Sequence, residues 1–452
     1  FARVNYTLMD RYLFEVNMRA DASSRFHKDH RWGYFPSFSA GWRMSEESFM
    51  KDIEWINNLK IRASYGTLGN INNVGNYDYF QNYSSGNHYN FSDSPAIGIG
   101  ESKPANETLG WEKVALTDIG LDFDIFNGLL GVTADYYIKN TSDILLGYNV
   151  PTETGITAAP SQNIGKVKNT GFELALNHRN KIGAVNYSIG ANIATNKNKI
   201  TNLGGSDNII QTSSYIVKYI LKKGESIGSF YGFKTDGLYT QADIDAGHYY
   251  TLSGVVPNAG DIKFVPQRDI EYKQEITDED RTILGKDVPD FTYGVNLSLQ
   301  YKGFEFSMFG QGISGTKVAF DVYGVHPFYH GQDSPRKYHL KRWTEENPNP
   351  HAAYPRIYSA SSVHTTYNRN FSDYHLFDSD YFRFKTLSLG YTVPSATVKN
   401  WGLQSLKVYV TGENLFTVRA DKKMEDFDPE TAGGVIYTLG TKSVAFGVNI
   451  SF

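Results

Sequence analysis

The sequence contains no cysteine, which excludes disulfide frameworks, thiolate metal sites and cysteine nucleophiles. Nowhere does it hold roughly eighteen apolar residues in a row, so no segment can cross a bilayer as a helix. A β-barrel is then the one architecture by which this chain could span a membrane. Charge of one sign is also missing. With 44 basic against 48 acidic residues the net charge is −4, and nothing in that balance attracts nucleic acid. An initiator methionine and a signal peptide are absent too. The chain opens at Phe1 inside an alternating segment, and the expectation is a fragment or a processed product.

What is present points to strands. The counts of 32 Tyr, 28 Phe and 42 Gly favour strands and turns, hence an all-β chain. At 452 residues it exceeds the ~250–300 at which one soluble core stops growing. The carboxyl terminus displays the pattern most clearly: Val444, Phe446, Val448, Ile450 and Phe452 alternate with Ser443, Ala445, Gly447, Asn449 and Ser451. Successive side chains on a strand point to opposite faces, so one face is apolar and the other small or polar. A terminal Phe on the apolar face resembles the closing strand of bacterial outer-membrane barrels, where it serves as the assembly signal.

The same alternation recurs thirteen times along the chain, for example at Tyr12 to Met18, Ile119 to Ile125, Leu130 to Ile138 and Phe291 to Tyr301. Connections near residues 10, 127, 181 and 303 are tight, and Asn127-Gly128 is a strong hairpin signal. Those at 44–58 and 395–402 are somewhat longer, and Ser45 to Asn58 reads as one short helix. The alternate connections, near 69–110, 147–164, 200–288, 317–379 and 417–438, are long. Short turns at one end and long loops at the other describe an outer-membrane barrel with its long loops outside the cell. A β-sandwich has no reason to segregate them. The polar face carries Arg62, Asp118, Asp122, Asp124, Asp135 and Glu173, which suit a hydrated lumen. Single-chain bacterial barrels have even strand numbers, so thirteen strands imply that amino-terminal strands are missing.

Several stretches resemble the SusC/RagA family of TonB-dependent outer-membrane transporters. They are Arg19 to Phe26 (RADASSRF), Arg31 to Trp42 (RWGYFPSFSAGW), Leu59 to Gly69 (LKIRASYGTLG), Gly228 to Tyr239 (GSFYGFKTDGLY), Asp278 to Gly285 (DEDRTILG) and Asp380 to Tyr391. They follow the family order over essentially all 452 residues. The resemblance implies an antiparallel transmembrane β-barrel of 22 strands, of which residues 1–452 would hold about the last 13. The plug domain and the TonB-contacting segment would lie outside this chain. It further implies a SusD-like surface lipoprotein as lid, held by the loops at 69–110 and 147–164. The partners would be that lid, the TonB system and outer-membrane lipid, and the task import of oligosaccharides or peptides.

Individual sites are less legible. The family often carries a calcium-type loop, and Asp269, Glu271, Lys273, Glu275 and Asp280 fall at positions 1, 3, 5, 7 and 12 of that spacing. Lys273 and Gln274 supply neither the oxygen ligand nor the Gly the loop requires, so no cofactor is expected; Asp269, Glu271 and Asp280 are the weak metal candidates. Gly310 to Gly315 fits G-x-G-x-x-G at a strand end with no following helix, and Gly224 to Gly228 fits a nucleophile elbow without one. Neither carries dinucleotide or hydrolase chemistry. Asp122 and Asp124 share a strand face, but nothing marks an acid and base pair, so no enzyme is expected. Aromatics in the long loops, Tyr79, Tyr83, Tyr89, Tyr323 and Tyr329 among them, are the substrate-contact candidates, with packing as their ordinary alternative. A surface receptor or structural barrel that binds without importing is the rival function.

Overall fold

A computed structural model describes residues 1–91, 94–147, 161–212, 216–320, 326–328, 334–430 and 440–452, without the side chains of residues 86, 87, 102 and 212. Thirteen long strands form its framework. They are β1 (Ala2–Leu8), β2 (Tyr12–Ala22), β3 (Trp32–Arg43), β4 (Ile56–Asn70), β5 (Glu112–Ile125), β6 (Leu130–Gly147), β7 (Ser161–Ile182), β8 (Val185–Thr195), β9 (Phe291–Tyr301), β10 (Phe304–Ser314), β11 (Tyr381–Thr392), β12 (Ser405–Arg419) and β13 (Ser443–Ser451).

The chain divides into two compact units. The first holds Phe1–His178, Thr195–Asp207 and Lys222–Gly224; in it β1 to β7 pair antiparallel, each with the next. The second holds Arg179–Ala194, Asn208–Leu221 and Glu225–Phe452, and runs β8 to β13 in sequence order. From β9 onward its pairs are antiparallel. Such sequential pairing follows from the tight turns. Met9 and Asp10 adopt φ of 53° and 56°, and Lys302 and Gly303 adopt 45° and 88°, the left-handed pair that a two-residue hairpin demands. The Asn127-Gly128 signal is borne out by φ of 57° and 79°.

The expected helix over Ser45 to Asn58 is not formed. Met44–Glu46 is a single 3₁₀ turn, and successive turns follow in which Met50 N–H bonds Glu47 O, Ile53 N–H bonds Met50 O and Ile56 N–H bonds Ile53 O. The cause lies at Glu47, whose carboxylate accepts from Arg11, the Tyr12 hydroxyl and the Trp42 indole. Tied to the strands at that point, the segment turns every third residue and does not wind.

The strands are apolar on their outer, solvent-accessible face. Phe14, Val16 and Met18 on β2, Ile119 and Leu121 on β5, and Leu389 on β11 are all exposed. On β13, Val444, Phe446, Val448, Ile450 and Phe452 are 49–83% exposed. Burying such a surface requires lipid or further protein. Among the described residues β1 pairs only with β2, and β13 only with β12. The expected seam across β13 is therefore not formed within this chain.

Candidate substrate-binding mouth and lumen wall

In the first unit the polar wall face is organised by one guanidinium. Arg62 on β4 lies 3.3 Å from both Asp118 and Asp122 on β5 and 2.6 Å from Asp135 on β6. Lys60 sits 3.9 Å from Asp122. Register explains the convergence: Arg62 opposes Gly120, which opposes Asp135. A Cβ at Gly120 would overlap both side chains, so glycine there admits the ion pairs. The residues named as lumen-facing from alternation thus meet in one charged cluster.

In the second unit the long connections fold into a packed layer. One core gathers Phe233, Leu238, Ile262, Phe264 and Ile276 with Trp343 and Tyr367. A second joins Val318, Phe320, Tyr338 and Phe377 to Met424 and Phe427, and a third joins Val217, Phe230, Ala319, Phe371 and Leu376. Each draws residues from more than one connection, so the loops hold one another and do not move independently.

This layer is fastened to the wall by a charge clamp. Arg383 on β11, 4% exposed, donates to Asp428 and to Glu430 at 2.8 Å each. Glu430 also accepts from Lys385, Gln311 and the Tyr381 hydroxyl. Burial pushes both carboxyls up, but the hydrogen bonds and cations around them prevail and leave them below the usual range. The strand containing Arg383 lay within a family-like stretch of sequence. Nothing in the sequence around Glu430 announced its part.

The calcium-type residues are placed otherwise than a metal loop requires. Asp280 is fully buried, and its carboxylate accepts from the Arg268 guanidinium and from the backbone N–H groups of Gln267, Arg268 and Thr277. Burial pushes this carboxyl up, yet those donors outweigh it and hold the group at about 2. Lys273, with φ of 71°, forms the bend in a turn from Glu271 to Gln274. Asp280 is thus a structural anchor, and Asp269 and Glu271 are not drawn to it by any group of three metal-binding side chains among the described residues.

The aromatic candidates separate. Tyr79 is 9% exposed and packs with Phe26, Val74 and Leu109 in the first unit. Burial gives it a packing part and removes it from ligand contact. Tyr83 and Tyr89, at 64% and 67%, stand on the hairpin Asn82–Phe91 with Ser94–Lys103, beside exposed Phe91, Ile97 and Ile99. Tyr323 and Tyr329 lie outside the described residues.

Comparison with known proteins follows from this geometry. A family described as TonB dependent receptor-like, beta-barrel matches residues 1–415. The chain belongs to that family. TonB-dependent receptor P3 of Formosa agariphila is 32% identical over 92% of this chain and 40% of its own length. SusC of Bacteroides thetaiotaomicron is 29% identical over all of this chain and 43% of its own. The RagAB peptide transporter superposes with a TM-score of 0.78 at 25% identity, over 100% of this chain and 46% of that one. The SusC/RagA resemblance is thereby confirmed, and the chain spans less than half the length of these relatives. The family is one of outer-membrane receptors and transporters, and the exposed apolar strand face suits that location.

Proposed function

We propose that this chain supplies wall, mouth and loop layer to an energy-coupled importer that carries oligosaccharides or peptides across the outer membrane unaltered. The observation that carries this reading is the combination of an outward apolar face with an inward charged face on the same strands, as at Arg62 and its three aspartates. The RagAB likeness over the whole chain supports it. Force from TonB would act on parts of the protein outside this chain, displacing a plug, while the loops grip ligand.

A SusD-like lipoprotein lid is the partner proposed for the mouth. The hairpin bearing Tyr83, Tyr89, Phe91, Ile97 and Ile99 offers it an uncharged, exposed surface. In a strain carrying the complete protein, loss of TonB should abolish uptake of its nutrient. Uptake that survives this loss would leave only the rival reading, a receptor that binds without import.

A further inference from the structure

A cavity of about 440 Å³ opens in the second unit between the polar wall face and the loop layer. Its lining includes Tyr219 and Phe230 from one connection, Asp287 and Lys317, and Gln311 with Glu430. The volume is within the ~300–1,000 Å³ usual for small-ligand sites. Its charges fall into two classes. Glu430 is fully engaged by Arg383, Lys385, Gln311 and Tyr381. Asp287 is exposed and Lys317 half-buried, and neither has an ion-pair partner among the described residues. Asp373, the carboxylate that feels the Lys317 charge, is already bonded by the Thr235 hydroxyl at 2.6 Å. Thr316 spends its hydroxyl on the Asp287 carbonyl.

The cavity therefore presents one uncommitted anion and one uncommitted cation against an aromatic wall, where the Tyr219 ring sits 4.9 Å from Phe230. We propose that it takes a short peptide, its ammonium group on Asp287 beside the Tyr219 ring and its carboxylate on Lys317. This rests on the import reading and narrows its ligand class. A neutral saccharide would leave both charges unpaired while displacing their water from a site also walled by Ile313 and Val318. A peptide satisfies both, and an ammonium gains further from the ring face. The ammonium and carboxylate could belong to chain ends or to Lys and Asp side chains; the chemistry is shared.

The test is calorimetric titration of the complete parent protein in detergent, with any lipoprotein that co-purifies. Four probes are compared: hexa-alanine with free ends, Ala-Lys-Ala-Asp-Ala-Ala with free ends, that peptide with both ends blocked, and maltohexaose. At least one peptide should bind, with Asp287→Asn and Lys317→Met each weakening it about tenfold or more. The surface control Lys399→Met should change nothing. Binding by the blocked peptide assigns the charges to side chains, and its loss on blocking assigns them to chain ends. Thermal midpoints equal to the parent's establish that the variants fold. Binding of maltohexaose alone, no peptide binding, or peptide affinity unchanged in both variants overturns the proposal. Uptake that does not need TonB would instead overturn the import reading and leave the titration standing.

Discussion

Within the second unit the strands and the loop layer obey opposite rules. On β13 the large side chains face outward, and Phe446 is 83% exposed. In the loop layer Phe233, Phe264 and Tyr367 are about 1% exposed or less, with ring pairs at 5.7 and 5.2 Å. The wall is held chiefly by its hydrogen-bond ladder and by the lipid it faces, the layer by conventional packing. A change of the same chemistry should thus act differently in the two places. Phe264→Ala should cost the layer roughly 3–5 kcal/mol, read as rapid proteolysis of residues 225–290 in the detergent-held parent protein. Phe446→Ala should leave those loops resistant. Equal proteolysis of both variants would break the contrast.

Charge probes the wall more directly. Val448→Arg, on the outward face of β13, should destabilise the assembled barrel by about 2–4 kcal/mol if it lies near the bilayer centre. Asn449→Arg, one residue on, points to the polar face and should cost little. Folding efficiency into lipid vesicles of the complete protein checks this, and matched yields for the two variants would mean that β13 does not present Val448 to lipid.

Acid should act on the layer before the wall. His375 is 5% exposed, and burial lowers it from its ordinary value to about 4; buried His326 is lowered too. The unfolded chain therefore binds protons that the folded layer refuses. The stabilisation is complete above the unfolded value of ~6.5, falls away as pH drops toward about 4, and loses nothing further below that. For His375 this amounts to at most about 3 kcal/mol. Urea midpoints of the parent should fall between pH 7.5 and 4.5, and His375→Gln should flatten that slope. A slope that survives the substitution would place the sensitive group elsewhere.

The same contrast explains what the sequence disclosed. Alternation is local and has a period of two, so all thirteen wall strands, their turns and the Arg62 cluster were legible. Packing among long loops joins residues far apart with no period. Phe320 meets Phe427 with ring centroids 4.5 Å apart across more than a hundred positions, and Arg383 meets Glu430, without any mark in either stretch. The Ser45 to Asn58 segment failed for a related reason. Its helical spacing was real, but Glu47 took tertiary partners that stopped the helix.

Tyr79 and Tyr89 make the smallest and most informative comparison. Both were aromatic candidates in the same loop, yet one is buried and the other exposed. Tyr89 touches Phe91, at 4.8 Å between ring centroids, and little else holds it. Tyr83→Ala with Tyr89→Ala should then change stability by no more than ~0.5 kcal/mol, because no packed neighbour is lost. The same pair should weaken capture of a lid lipoprotein, since exposed aromatic side chains on an uncharged hairpin give a partner area at small entropic cost. Tyr79→Ala reverses both expectations: it opens a void beside Phe26 and Leu109, and it leaves the exposed hairpin surface unchanged. Co-purification of the lipoprotein, measured beside the thermal midpoint, separates the two. If Tyr83→Ala with Tyr89→Ala retains the lid in full, the hairpin is not its seat.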